Sequence, residues 1–179
     1  MIDFVNCPYR HGELSPCERE ALYRWVFAIN PRVIVEIGTG KGGSTCYMAQ
    51  AIKDNDIKCR LFTCDPKRKP VKEFFIDYPF VDYRRAMSNV LLEYIRLNGI
   101  IPEFIFFDGP DDARLALKDF RTLNGISRKG TYFSMHDWEC NKASQLKPYI
   151  DGLRFWKKVE IIGNRKDSVG LCLYKKIHD

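Results

Sequence analysis

The sequence lacks the features that mark membrane-spanning, secreted and repetitive proteins. No apolar run approaches the roughly 20 residues that a helix needs to cross a bilayer. The first six residues show no basic stretch followed by an apolar one, so no secretion signal is predicted. No internal repeat, low-complexity tract or long linker interrupts the 179 residues, of which 45% are hydrophobic. This length and composition predict one folded domain over residues 1–179.

Paired cysteine motifs are also missing. The chain has seven cysteines, an odd number, and no Cys-x-x-Cys. A disulfide framework and a zinc knuckle are therefore both disfavoured. Cys64 and Cys172 lie in apolar runs, as reduced core cysteines do. The pattern predicts a cytoplasmic protein.

The net charge of +6 is not concentrated in one stretch. The basic residues are scattered, and none of their small clusters alternates with aromatic residues as in a groove for single-stranded nucleic acid. The charge distribution disfavours a nucleic-acid partner. No membrane partner is predicted. The oligomeric state is left open, and a homodimer is compatible with the sequence.

Short apolar strands alternate with helical stretches along most of the chain. After an N-terminal segment and helix in residues 1–30, five βα units are predicted in residues 31–154. Residues 155–179 hold two strands with no room for a helix between them, which predicts an antiparallel hairpin. The expected fold is α/β: a doubly wound, Rossmann-like, seven-stranded sheet, mostly parallel with a C-terminal antiparallel hairpin. Ligands of such sheets bind beyond the carboxyl ends of the strands.

A glycine-rich turn follows the first strand, and it has the sequence GTGKGGST from Gly38 to Thr45. Its spacing satisfies G-x-G-x-x-G, which by itself is a weak sign of a dinucleotide. A P-loop would require lysine at the position of Ser44, so that interpretation fails. Glu36 lies two residues before the turn. A carboxylate there suits a cationic amino-acid group better than a pyrophosphate.

Asp65 ends the second strand, where an acid commonly binds ribose hydroxyls. It supports a nucleoside ligand without choosing between cofactors. Ser88 follows the third strand, where its position by itself indicates only a helix cap. Further along, Asp108 ends the fourth strand, and His136 and Asp137 end the fifth.

Two carboxylates and an imidazole at adjacent strand ends are expected to face one cleft. Asp108, His136 and Asp137 could hold a divalent cation such as Mg²⁺, which would lower the pKa of a hydroxyl. The alternative needs no metal: His136 acts as a general base held by Asp137 or Asp108. The sequence leaves both open, and it also leaves open that Asp137 caps a helix while His136 packs in the core.

The stretch Glu36-Ile37-Gly38-Thr39-Gly40-Lys41-Gly42 resembles the first motif of class I S-adenosylmethionine-dependent methyltransferases. The acids at the strand ends resemble those of cation-dependent O-methyltransferases of the catechol and caffeoyl-CoA type, and of relatives grouped with cephalosporin hydroxylase and rhamnosyl O-methyltransferase. The resemblance implies S-adenosylmethionine as cofactor and O-methylation of a small hydroxylated molecule. It implies that the cofactor is held by a set of residues at the strand ends: Glu36, Gly38, Thr39, Gly40, Gly42, Ser44, Asp65, Ser88 and Asp108.

The sequence departs from the catechol type at two places. The lysine that follows the fourth-strand aspartate in that group is absent, and Gly109-Pro110-Asp111 stands there instead. His136-Asp137 stands where that group has Asp-Asn. Two other classes remain open: an NAD(P)-dependent Rossmann oxidoreductase and a non-catalytic nucleoside-binding module. Arg10 and His11, ahead of the first helix, are minor candidates for substrate contact.

Overall fold

A computed structural model describes residues 14–67, 72–163 and 168–179. The predicted contacts of Arg10 and His11 therefore lie outside the described residues. The helices are α1 (Pro16–Ile29), α2 (Gly43–Asp54), α3 (Lys72–Asp77), α4 (Ser88–Leu97), α5 (Ala113–Ile126) and α6 (Leu146–Asp151), with a 3₁₀ turn at Asn141–Ala143. The strands are β1 (Val33–Ile37), β2 (Arg60–Cys64), β3 (Val81–Arg84), β4 (Phe104–Phe107), β5 (Tyr132–His136), β6 (Trp156–Ile162) and β7 (Leu171–Lys176).

The seven strands form one sheet in the order β3-β2-β1-β4-β5-β7-β6. β1 to β5 are parallel to their neighbours, and β7 is antiparallel to both β5 and β6. The predicted doubly wound sheet with a C-terminal antiparallel hairpin is confirmed. The strand order reverses between β1 and β4, so a crevice opens beyond the carboxyl ends of these two strands.

Both faces of the sheet are covered by helices. On one face α1, α2 and Phe74 of α3 pack on residues such as Ile34 and Phe106. On the other face α4, α5 and α6 pack on residues such as Val35 and Phe107. Successive residues of β4 therefore enter opposite cores, as the uniformly apolar sequence of this strand predicts for a doubly covered strand.

Two segments differ from the sequence-based expectation. The sequence from residue 142 to residue 150 predicts one short helix, but the structure divides it into the 3₁₀ turn and α6. The apolar run of the first C-terminal strand starts at Val159 in the sequence, whereas β6 begins three residues earlier, at Trp156. Trp156 is buried against Phe120 and Phe133. The start of the strand is not recognisable in the sequence because the exposed Lys157 and Lys158 interrupt its apolar pattern.

The six cysteines in the described part of the chain form no disulfide with one another. Among the described helices, none combines the length and the apolar character needed to cross a bilayer.

Candidate active site

A cavity of about 510 Å³ lies at the carboxyl ends of the central strands. The predicted site residues divide into two groups. Those that line the cavity are Gly38, Thr39, Gly40, Ser44, Asp65, Ser88, Asp108 and Asp137. Glu36, Gly42 and His136 are buried and are not among the residues that line it.

The glycine turn forms one wall of the cavity. Gly38 and Gly40 have positive φ angles of 95° and 54°. The N–H groups of Gly38 and Thr39 both donate to the carbonyl of Cys64 at 3.0 Å, which joins the turn to the end of β2. Asp65 reinforces this junction, because its Oδ2 accepts from the Gly40 N–H at 3.0 Å and its Oδ1 from the Lys67 N–H at 2.8 Å. Asp65 is thus held at the cavity rim by the turn itself.

Glu36 lies beneath the turn, and its side chain is fully buried. Its carboxylate accepts hydrogen bonds from the hydroxyls of Ser44, Thr45 and Thr63, each at 2.6 Å. The role of Glu36 towards a ligand stays a prediction. Burial raises the pKa of Glu36 to about 7, even though the three hydroxyls favour the ionised form.

The raised pKa gives Glu36 a testable effect on stability. A carboxyl that ionises near pH 7 when folded and near pH 4.5 when unfolded costs stability as the pH rises between these values, by about 3 kcal/mol. Glu36→Gln should remove this cost, because the amide can donate to hydroxyls that then act as acceptors. The free energy of unfolding of the variant, relative to that of the wild type, should therefore rise by about 2–3 kcal/mol from pH 5 to pH 8.

Urea unfolding at the two pH values measures this gain. Glu73→Gln, at an exposed position of α3, is the matched control and should show no such change. The same pH dependence in Glu36→Gln as in the wild type would contradict the burial argument.

Asp119 of α5 faces the part of the cavity next to Ser88. It is 6% exposed, and its Oδ2 is buried with no hydrogen-bond partner among the described residues. Burial raises the pKa of this carboxyl, against an opposing hydrogen bond from Ser88. A buried polar atom without a partner is rare in folded proteins. Asp119 could not be recognised as a site residue from the sequence, because it lies inside an amphipathic helix, where an acid is normally exposed.

Asp108, His136 and Asp137 are brought together at the other end of the cavity. The Nδ1 atom of His136 lies 3.5 Å from Asp108 Oδ2 and 3.6 Å from Asp137 Oδ1. One ligand atom from each of the three residues fits within 4.8 Å of the others. The structure confirms the predicted grouping; the roles of the three residues stay predictions.

Lys142, from the 3₁₀ turn, joins this group and was missed by the sequence analysis. Its Nζ lies 2.6 Å from Asp108 Oδ1 and 2.7 Å from Asp137 Oδ2. The side chain is only 4% exposed. Burial alone would lower the pKa of Lys142, but the two carboxylates raise it overall, so the side chain is a fixed cation.

The second nitrogen of His136 also faces a carboxylate that the sequence analysis did not identify as functional. Its Nε2 lies 3.6 Å from Glu18 Oε2, and both side chains are fully buried. Burial alone would lower the pKa of His136, but Asp108 and Glu18 outweigh it and raise the pKa to about 10. The imidazole is therefore protonated at neutral pH. Burial alone would raise the pKa of Glu18, but His136 and Ser168 outweigh it and lower the pKa to about 2.

This fold and site are those of a class I methyltransferase: the sheet order, the glycine turn and the acids at the strand ends all agree with that resemblance. The chain is similar in structure to an O-methyltransferase from Bacillus cereus solved with S-adenosylhomocysteine, with a TM-score of 0.73, 18% identity, and coverage of 94% of this chain and 84% of that one. It is also similar to the O-methyltransferase TomG from Streptomyces achromogenes, involved in tomaymycin synthesis and solved with S-adenosylmethionine. That pair has a TM-score of 0.70 and 16% identity, and the match covers 92% and 81% of the two chains.

The family follows from the sequence itself. Residues 35–138, more than half of the chain, match the family model described as a methyltransferase domain. The protein belongs to this family and is a methyltransferase. No curated protein matches the chain in sequence.

Proposed function

We propose that the protein transfers the methyl group of S-adenosylmethionine to an oxygen atom of a small hydroxylated molecule. The observation that carries the proposal is the composition of the cavity, which has a glycine turn and Asp65 at one end and a charged group of Asp108, Asp137 and Lys142 at the other. The first end suits a nucleoside, and the second suits a polar acceptor.

The cofactor end favours an amino-acid nucleoside over a dinucleotide. The Asp65 carboxylate can accept hydrogen bonds from ribose hydroxyls. Ser88 and Asp119 can accept hydrogen bonds from the amino group of adenine. Asp108, and Glu36 in its ionised form, place negative charge near the turn, which disfavours a pyrophosphate and favours an ammonium or sulfonium group. At the turn, the residues that contact the ligand are Gly38, Thr39, Gly40 and Ser44. Glu36 acts on the ligand through its charge and does not touch it. Gly42, the N-cap of α2 with a φ of 96°, shapes the turn without touching the ligand.

The acceptor end offers carboxylates, an ammonium and a protonated imidazole. His136 holds its proton at neutral pH, so it donates rather than accepts, which disfavours its proposed role as the general base. The second route predicted from the sequence is a divalent cation at Asp108, His136 and Asp137, but Lys142 already contacts the two carboxylates of that site. In that route the three residues would hold the ion, which would lower the pKa of a bound hydroxyl.

Calorimetry tests the proposal against its alternatives. We expect S-adenosylmethionine and S-adenosylhomocysteine to bind, and NAD to bind at least 100-fold more weakly. Binding of NAD alone would favour the oxidoreductase. Binding of both nucleosides without any methyl transfer to phenolic or sugar hydroxyls would favour the non-catalytic module. The cytoplasmic location and the possibility of a homodimer stay predictions of the sequence.

Asp65→Ala is expected to weaken S-adenosylmethionine binding by about 10- to 100-fold, which corresponds to the loss of one or two hydrogen bonds to a charged acceptor. Calorimetry at fixed pH measures the change. Asp77→Ala, on α3, is the matched control, because Asp77 does not line the cavity. Unchanged affinity in Asp65→Ala would remove its ribose role.

A further inference from the structure

The ammonium of Lys142 lies between the two carboxylates that a divalent cation would need. Asp108 Oδ1 and Asp137 Oδ2 both accept from its Nζ, at 2.6 and 2.7 Å. A metal bound by the same oxygens would lie about 2.0–2.6 Å from them and would overlap the ammonium. Lys142 and a metal therefore exclude each other at this position.

The third member of the candidate cation site lies among three carboxylates. Nδ1 of His136 is 3.5 Å from Asp108 and 3.6 Å from Asp137, while Nε2 is 3.6 Å from Glu18. Neither nitrogen makes a hydrogen bond to a described residue, so His136 alone does not exclude a metal. Lys142 does, because its ammonium lies between the two carboxylates, and the residues as folded therefore do not fit a divalent cation.

We propose that Lys142 is a built-in cation that replaces the metal of this site and binds the acceptor oxygen directly. A lysine ammonium has three N–H donors, of which the described protein groups use two. Lys142 lines the cavity, so the third donor is available to a substrate oxygen. The part of the proposal that concerns the acceptor rests on the proposed function; the exclusion of a metal does not.

The position of Lys142 also explains how two carboxylates can face an acceptor that develops negative charge. Asp108 and Asp137 alone would repel an oxyanion at the end of the cavity. With Lys142 between them, one fixed positive charge offsets part of this repulsion where the oxygen binds. The acceptor class that fits is a hydroxyl acidic enough to carry negative charge, such as a phenol or an enol.

Binding of Mn²⁺ tests the proposal without any methyl-transfer assay. It is measured as the decrease in the electron paramagnetic resonance signal of the free ion. The wild-type protein should show no binding up to millimolar Mn²⁺. Lys142→Ala and the closely sized Lys142→Met should bind Mn²⁺ at least ten-fold more tightly than the wild type, because both vacate the position between the carboxylates. Lys147→Ala is the matched control, since this nearby partly exposed lysine pairs with Glu139 instead.

The double variant Lys142→Ala/Asp108→Asn should lose the gained binding, which assigns the ion to this site. Two results would overturn the proposal: Mn²⁺ binding by the wild type as tight as by the Lys142 variants, or no gain in either folded variant. The wild-type measurement alone is decisive if the variants do not fold. Failure of the proposed function would appear instead as a lack of S-adenosylmethionine binding, with the Mn²⁺ result unaffected.

Discussion

Glutamine in place of Glu18 is expected to lower the free energy of unfolding by about 3 kcal/mol, the range seen when one partner of a buried ion pair is removed. Glu18 is fully buried in α1 and faces His136. Its carboxylate also accepts from the Ser15 N–H at 2.7 Å, the Gly170 N–H at 3.1 Å and the hydroxyl of Ser168. The NH₂ group of a glutamine would replace one of the two accepting oxygens, so that N–H donors would face each other.

The stabilisation by Glu18 and His136 has a defined pH window. The Glu18 pKa falls from 4.5 to about 2 on folding, so its contribution is present above pH 4.5 and is lost as the pH falls towards 2. The His136 pKa rises from 6.5 to about 10, so its contribution is present below pH 6.5 and is lost as the pH rises towards 10. The stabilisation is therefore complete between about pH 4.5 and 6.5.

Urea unfolding at pH 5.5 and at pH 10.5 separates this effect from a general defect. Glu18→Gln should lower the free energy of unfolding most at pH 5.5. The loss should be smaller at pH 10.5, where His136 is neutral in both the wild type and the variant. Glu20→Gln changes an exposed glutamate of the same helix and should stay within about 0.5 kcal/mol of the wild type. Equal effects of the two substitutions would show that Glu18 is not part of a buried pair.

The strands could be predicted from the sequence because each is a short apolar run with a turn signal after it. Val33–Ile37 and Phe104–Phe107 are buried on both faces, and such runs leave little choice of structure. Glycines and acids mark the ends of these strands in the sequence. This is why the chain alone was enough to assign Asp65, Asp108 and Asp137 to one edge of the sheet.

Glu18 and Lys142 could not be found in the same way, because their roles depend on contacts across the fold. In the sequence Glu18 has a sufficient local explanation as the end of a capping box after Ser15, and the structure shows that Ser15–Glu18 contact. Lys142 lies in a polar segment with no periodicity and reaches Asp108 from 34 residues away. Glu36 shows the converse. Its position in the motif was informative, but only the structure shows that three hydroxyls surround it.

Gly38→Ala is expected to be the most damaging change in the glycine turn. A Cβ at this position would lie 2.1 Å from the carbonyl oxygen of Asp108 and 2.7 Å from its carbonyl carbon. Both atoms belong to the backbone, so no side-chain rotation relieves the overlap. The φ angle of 95° adds strain for any residue with a Cβ. Together these effects should lower the free energy of unfolding by about 4 kcal/mol or more.

Gly99→Ala is the matched control for this substitution. Gly99 also has a positive φ, of 61°, but a Cβ there would meet nothing within 4 Å. Only the backbone strain remains, at about 1–2 kcal/mol, and Gly99 does not line the cavity. The midpoint of thermal unfolding of Gly38→Ala should therefore be well below that of Gly99→Ala. The affinity for S-adenosylmethionine should fall only in Gly38→Ala.

The difference between the two variants follows from what the close approach at Gly38 achieves. The Asp108 N–H donates to the Ile37 carbonyl at 2.8 Å, so the end of β4 is fastened directly beside the turn. A methyl group at position 38 would push the Asp108 backbone away and carry its carboxylate off Lys142. The cofactor turn and the acceptor group would then be damaged together. If Gly38→Ala lost no more stability than Gly99→Ala and kept its cofactor affinity, Gly38 would not hold these two halves of the site in contact.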